Sequence, residues 1–263
     1  LAWLVEADRT EQALELLDSL VSSDETLDAT GFGTGNRPWL ESLMRYLETG
    51  EGLEPNLPQG GRGVDERFAR LLLSALLTRE TPDPEAEKQV LAVLDPRLPG
   101  VGLLGGSVYF DSCLLRAAQS LEAGETTEAA RQAREWLRKD APSLSAHYPR
   151  LCALEAGLEL LDGTPAMAED TLGYIALAPV AGDAEKTLSK LFRKEQGWER
   201  TPQAVRNAGD TCFWFEWLQW TLHMAGKNTE AAREHLERLE RYALSRAQRR
   251  LLTASRTYAA AAP

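Results

Sequence analysis

The sequence predicts an all-α fold of antiparallel helix hairpins, arranged as an α-solenoid or as a compact helical bundle. Leu, Ala, Glu and Arg dominate the 263 residues, and no segment alternates β-branched with polar residues as a half-buried strand would. A short phrase also recurs, at residues 6–13, 122–129 and 224–231, with a small turn residue five positions before a helical Ala. Because internal repetition is typical of stacked helix pairs, it carries most weight in this prediction.

Apolar periodicity of about 3.6 residues predicts thirteen helices in order along the chain. They cover residues 1–8, 10–23, 37–49, 64–79, 84–94, 107–123, 126–139, 146–162, 165–176, 183–194, 210–225, 228–243 and 245–258. Gly-rich, Pro-rich or polar breaks separate several of them, at residues 30–38, 54–63, 95–107 and 196–210. These breaks divide the chain into a less regular half, residues 1–100, and a more repetitive half, residues 101–263, either as two domains or as one continuous domain.

The turns between the repeated helices have consistent chemistry. Gly124, Gly163 and Gly226 each follow an apolar helix, where a left-handed backbone conformation ends a helix at no steric cost to glycine. Pro165 follows Gly163 by two residues and suits the first turn of the next helix, where its missing N–H is not needed. The sequence therefore predicts three sharp helix ends at these glycines.

The spacing of these turns resembles that of tetratricopeptide repeats, a family of 34-residue helix pairs. The turn and Ala positions of the family pattern fall on Asp8 and Ala13, Gly124 and Ala129, Gly163 and Ala168, and Gly226 and Ala231. The apolar position eight residues after that Ala falls on Val21, Leu137, Ala176 and Leu239. The large residue of the second helix corresponds to Leu17, Ala133, Leu172 and His235. The resemblance covers about half of the chain and implies a curved stack of hairpins with a concave binding face.

The first repeat has only half of a first helix, in residues 1–8. Leu14, Leu17 and Val21 on the next helix would then lack a full partner surface. We therefore expect either more helix upstream of Leu1 or another chain covering this end.

The aromatic block at residues 213–220 holds three of the seven tryptophans and is the strongest local anomaly. It can be a central core helix, or part of it can line a groove, because Trp is a favoured binding anchor. The tetratricopeptide resemblance places Phe213, Glu216, Trp220 and His223 on the concave side. It places Phe215, Leu218 and Leu222 inside the hairpin, and it exposes Arg150 and Ala153 on the neighbouring repeat.

No stretch carries a convincing catalytic or cofactor motif. The glycine-rich residues 31–36 lack the preceding strand and the Lys-Ser/Thr pair of a phosphate loop, so we interpret them as an interhelical loop in which Asn36 caps the next helix. The three histidines, His147, His223 and His235, are too dispersed to predict a metal site. The sequence thus predicts no cofactor and no metal.

The net charge limits the classes of partner that the chain can bind, and the cysteine content indicates its cellular compartment. A formal net charge of −11 disfavours nucleic acid, and no apolar stretch is long enough to span a bilayer. Cys113, Cys152 and Cys212 are isolated, which favours buried thiols in the reducing cytoplasm. Residues 241–263 hold five arginines and no acidic residue. This segment either packs on the acidic remainder of the chain, residues 1–240, or forms a basic docking strip for an acidic partner.

These observations favour a non-catalytic adaptor or scaffold that binds another protein or a peptide through a helical-repeat surface. Two alternatives remain open. One is an immunity or inhibitor protein that binds a cognate toxin. The other is an α-helical enzyme or small-ligand receptor with a pocket at residues 213–223.

Overall fold

The computed structural model of the chain describes residues 1–7, 9–60, 63–79, 81–95, 106–139, 148–177, 209–242 and 244–261. Within these residues there are thirteen α-helices. They are α1 Ala2–Glu6, α2 Thr10–Val21, α3 Asp24–Ala29, α4 Arg37–Thr49, α5 Glu66–Leu76, α6 Pro84–Val93, α7 Gly106–Glu122, α8 Thr126–Lys139, α9 Tyr148–Leu161, α10 Pro165–Leu177, α11 Gly209–Ala225, α12 Thr229–Leu239 and α13 Arg246–Ala261. The predicted all-α fold is confirmed. The helix predicted at 183–194 and most of the loop predicted at 196–210 lie outside the described residues.

The only strands in the described ranges form one short antiparallel pair in the predicted break at 54–63. Gln59–Gly60 pairs with Gly63–Val64, and Gln59 lies opposite Val64. A 3₁₀ turn at Thr34–Asn36 lies within the predicted break at 30–38, and the helix α3 occupies residues 24–29, for which no element was predicted. Ser23 explains α3, because its hydroxyl accepts a hydrogen bond from the Thr26 amide at 3.3 Å and caps the first turn.

The chain divides into two compact units, residues 1–112 and 113–263. The domain boundary predicted between residues 100 and 101 lies outside the described residues. The division observed in the structure falls within α7.

In the first unit, α5 lies in the middle of the packing. Helices α1, α4 and α6 all contact it, and α2 packs on α1, α3 and α4. Phe68 of α5 is buried, with its ring edge-to-face with Trp39 of α4 at 5.0 Å and with Phe32 at 5.6 Å between ring centroids. Glu6 of α1 also accepts hydrogen bonds from Arg70 at 3.1 Å and from Ser74 at 3.0 Å, which ties α1 to α5.

The expectation that α2 presents an uncovered apolar side is wrong for two of its three residues. Leu17 and Val21 are buried, and Leu14 is half-buried. The cover comes from α4 and from α3, which the sequence did not predict. Helices α3 and α4 therefore pack against α2 in this chain.

In the second unit, consecutive helices pack on one another. Helix α9 contacts α8, α10 and α11, while α12 contacts α11 and α13. Arg134 of α8 lies 2.8 Å from Glu159 of α9, and Glu159 also accepts a hydrogen bond from Thr171 of α10 at 3.0 Å. The hydrogen bond to Glu159 raises the pKa of the Arg134 guanidinium. This buried carboxylate therefore links three helices of the unit.

The basic C-terminal helix is also tied to the acidic body. Arg250 is buried and pairs with both carboxylate oxygens of Glu122 on α7, at 2.6 and 2.7 Å. Arg256 pairs with Glu240. Two of the five C-terminal arginines are thus held within the protein, as the packing interpretation predicts.

Three turns of the second unit share one backbone geometry. The residue in the left-handed conformation is Gly124, with φ 72°, Gly163, with φ 78°, and Lys227, with φ 58°. The amide after Gly124 bonds a carbonyl five residues back, as do the amides after Gly163 and Lys227, in the pattern of a Schellman motif. The predicted helix ends are confirmed at all three glycines. The left-handed conformation is confirmed at Gly124 and Gly163 and is wrong at Gly226, whose φ is not positive.

The correction at Gly226 shifts the last repeat by one residue. Counting five positions from the left-handed residue gives Ala129, Ala168 and Ala232, all buried, whereas the predicted Ala231 is half-buried. Four positions further on, the equivalent residues are Ala133, Leu172 and Leu236, all of them buried. Packing selects this register because Leu236, and not His235, supplies the apolar contact at that position.

Candidate functional site

The aromatic block of α11 lies in the interior of the second unit. The relative exposure of Phe213, Trp217 and Trp220 is 0%, and that of Trp214 is 1%. The expectation that Phe213 and Trp220 face a groove is therefore wrong. These four aromatic side chains can all be buried, because α9 and α12 pack directly on α11 and Ser255 of α13 contacts Trp217.

Trp217 has the most closely fitted environment of this block. Its indole N–H donates to the hydroxyl of Ser255 on α13 at 3.2 Å. Its ring lies against Gly157 of α9, where an added Cβ would be only 2.1 Å from the Trp217 Cζ3 atom. Glycine at 157 is thus what allows the indole to lie against the α9 backbone.

The three residues predicted to pack inside the α11–α12 hairpin differ in their burial. Leu218 is buried as expected, Phe215 is half-buried, and Leu222 is exposed at 38%. The expectation for Leu222 is wrong. On α9, Arg150 is half-buried, and Ala153, which was expected on the surface, is buried.

Glu216 and His223 do come together, through a residue that was not in the predicted site. The carboxylate of Glu216 is buried and lies 2.5 Å from Nδ1 of His235 on α12. The ring of His223 stacks on that of His235, with centroids 5.2 Å apart and planes 15° apart. An ionised carboxylate can only accept, so a hydrogen bond in this pair to an ionised Glu216 requires the hydrogen on Nδ1 of His235. Arg238 lies 3.8 Å from the same carboxylate.

This cluster is polar and ties α11 to α12. Burial, and then the proximity of His235, lower the pKa of His223, while Glu234 acts in the opposite direction. Among the residues that the structure describes, no three His, Cys, Asp or Glu side chains could together hold a metal ion. His147 lies outside the described residues. At this point the geometry provides a polar contact between α11 and α12.

The site that sequence reasoning missed is a groove between α12 and α13, with a volume of about 670 Å³. Its apolar lining comes from Met224 at the end of α11, Leu236, Ala259 and Ala260. Its charged lining consists of Glu230, Arg233 and Glu237 on α12 and Arg256 on α13. The aromatic block is a conspicuous sequence signal on α11. The apolar base of the groove consists of small and aliphatic residues that form no distinctive motif, so the sequence did not predict it.

The charges around the groove are largely balanced within the chain. Arg233 lies 3.7 Å from Glu237, and both are more than half exposed. Arg256 pairs with Glu240. The groove is therefore apolar at its base and mixed in charge at its edge.

The glycine-rich residues 31–36 do not present their amides to a ligand. The amides of Phe32 and Gly33 bond the carbonyl of Leu27, and the amide of Thr34 bonds the carboxylate of Asp28 at 3.3 Å. Asn36 precedes α4 as expected, but its side chain donates to the carbonyl of Phe32 and does not cap the helix. The interpretation as an interhelical loop agrees with these bonds.

Two of the three cysteines are buried thiols. Neither Cys113 nor Cys152 forms a disulfide, and both have 0% exposure. Burial raises the pKa of Cys152 to about 12, so its thiol is protonated at neutral pH and a poor nucleophile. The Cys212 side chain lies outside the described residues.

Comparison with known proteins adds no family to this description. No protein-family model, no curated protein and no solved structure matches the chain. None of the helices in the described ranges has both the length and the apolar character needed to cross a membrane.

Proposed function

We propose that this chain is a tetratricopeptide-like repeat protein that binds another protein, without catalysis of its own. The observation that carries the proposal is the groove between α12 and α13. Met224, Leu236, Ala259 and Ala260 form a concave apolar surface there, with charged side chains at its edge. An apolar groove between helices is a common way to receive one face of an amphipathic helix.

The register of the turns supports the assignment to this class of repeat. In three successive helix pairs, a left-handed residue precedes a buried Ala by five positions. A small residue at that position lets the paired helices approach closely. The resemblance rests on these positions and on the helical architecture.

The groove favours a partner helix with charges of both signs. Glu230, Arg233 and Glu237 alternate along one wall, and Arg256 stands on the other. Such an edge offers little net attraction to a uniformly charged ligand. Shape and apolar contact would then contribute most of the affinity, and the charges would orient the partner.

The experiment is affinity capture from the native host, followed by mass spectrometry, with three forms of the protein. Ala260→Trp fills the groove from an exposed position of α13, so it should leave the melting temperature unchanged. Glu15→Trp, on the exposed face of α2, is the matched control. A protein retained by wild type and by Glu15→Trp, but reduced roughly tenfold with Ala260→Trp, is the expected result.

Two outcomes would count against the proposal. Retention of the same proteins by all three forms would move the interface away from the groove. Capture of no protein at all by wild type, at bait concentrations of several micromolar, would remove the adaptor role itself.

A further inference from the structure

A second surface, on α10, differs from the groove in its charge. Five large apolar side chains are exposed in the described residues, and two of them, Met167 at 38% and Tyr174 at 55%, lie on this helix. They are seven residues apart, two helical turns or about 10.5 Å along one face. Single exposed apolar residues need no explanation, but two aligned on one helix form a stripe.

One acidic residue borders this stripe. Asp170 lies between Met167 and Tyr174 on the same face, and Glu169 lies further round the helix; both are exposed. Neither carboxylate has a hydrogen-bond or ion-pair partner within the described part of the chain. The helix itself contains no Lys, Arg or His. The stripe is therefore bordered by negative charge that no basic residue of α10 balances.

The arginine that contacts Met167 does not change this balance. A terminal nitrogen of Arg134 lies 3.6 Å from the Met167 sulfur. The Arg134 guanidinium forms ion pairs with Glu159 at 2.8 Å and Glu155 at 3.5 Å, two buried carboxylates of α9. Around this arginine the acidic groups outnumber the basic one.

The backbone along the same face can be approached closely. Ala166 is exposed, and Gly173, seven residues later, has no heavy atom within 4 Å of where a Cβ would stand. A partner helix can thus lie near the α10 axis, with its apolar side chains on either side of Tyr174. Tyrosine suits such a position, because it offers a large rigid contact area with a polar end.

We infer that the exposed face of α10 docks a cationic amphipathic helix of a partner protein, with apolar side chains on Met167 and Tyr174 and a Lys or Arg on Asp170. Charge complementarity selects this occupant over an acidic or neutral one. The formal charge of −11 on the whole chain acts in the same direction, by steering cationic segments to the protein at low salt. The inference extends the proposed role as an interaction protein but uses residues outside the groove, so either can fail alone.

The test uses two synthetic 18-residue helical peptides, one of Leu and Lys with Leu along one face, and the other with Glu in place of every Lys. Fluorescence anisotropy measures the Kd of each for the full chain at physiological salt. We expect micromolar binding of the Lys peptide and none of the Glu peptide. Tyr174→Ser and Asp170→Lys should each raise the Kd about tenfold, as loss of a central anchor does.

Matched controls separate this face from general attraction to an acidic protein. Trp3→Ser removes another exposed aromatic residue, and Asp18→Lys makes the same change in net charge on the exposed side of α2. Each should change the Kd by less than about twofold, since neither residue belongs to α10. Equal loss with Asp18→Lys, equal binding of both peptides, or no binding of the Lys peptide would each overturn the inference. All of the substituted positions are exposed, and circular dichroism checks that each variant is folded.

Discussion

Gly157 provides the most direct test of how the second unit is packed. A Cβ at this position would lie 2.1 Å from Cζ3 of Trp217, and also within 3.0 Å of two further ring atoms, whereas ordinary contact begins at 3.4 Å. Gly157→Ala would therefore force the ring or α9 to move by about 1.3 Å, the difference between these two distances. The ring is not free to do so, because it is fully buried and its N–H is bonded to Ser255.

The expected free-energy change follows from two opposing effects. Overpacking of a filled core costs about 1–3 kcal/mol, and this overlap belongs at the upper end of that range. Replacing glycine by alanine inside a helix contributes about 1 kcal/mol in the stabilising direction. We expect a net loss of about 2 kcal/mol in the free energy of unfolding for Gly157→Ala, measured by urea denaturation followed by tryptophan fluorescence.

Gly173→Ala is the matched control, because Gly173 is also inside a helix but its Cβ would stand in open space. Only the helix-propensity effect applies there, so the variant should be more stable by about 0.5–1 kcal/mol. The two substitutions should thus move the urea midpoint in opposite directions. Stabilisation by both of them would refute the contact between Trp217 and α9, and with it the placement of the aromatic block in the core.

Two further predictions concern the turn residues of the second unit and the pH dependence of its stability. Lys227→Gly should stabilise the protein by about 0.5–1 kcal/mol, because a left-handed backbone suits glycine better than lysine, while Gly163→Ala should destabilise it by about 1 kcal/mol. Thermal unfolding measures both, and a loss of stability with Lys227→Gly would restore Gly226 as the turn residue. The second prediction is a pH effect, since burial and His235 hold the pKa of His223 below its usual 6.5. The unfolded chain then binds the proton more readily, so stability is fully present above pH 6.5 and falls as the pH is lowered through that value. His223→Gln should flatten the melting temperature between pH 7 and pH 5, and an unchanged slope would mean that another group controls it.

The local features of this fold could be predicted because they depend on few neighbouring residues. Asp83 accepts from the Ala86 amide at 3.0 Å and begins α6 next to Pro84, a combination whose effect is complete within one helical turn. The left-handed turns at Gly124 and Gly163 are of the same kind. Each such signal is satisfied by the backbone around it, so no knowledge of distant contacts is needed.

The register of the last repeat could not be decided locally. Gly226 is the better residue for a left-handed turn, yet Lys227 occupies that conformation. Shifting the turn by one residue places Ala232 and Leu236 in the interior and leaves His235 beside Glu216. Burial of these side chains outweighs the backbone strain at one residue, and that comparison requires the positions of α11 and α13.

The helical character of this chain, the ends of most helices and the unusual composition of residues 213–220 all follow from the order of the amino acids. Which surfaces those helices leave open depends on how they pack. Trp220 is buried because other helices of the unit surround α11, while the groove beside Leu236 exists because α12 and α13 leave space between them. Helix formation depends on interactions within a turn or two of the chain, whereas a binding surface is what remains after helices distant in sequence have packed.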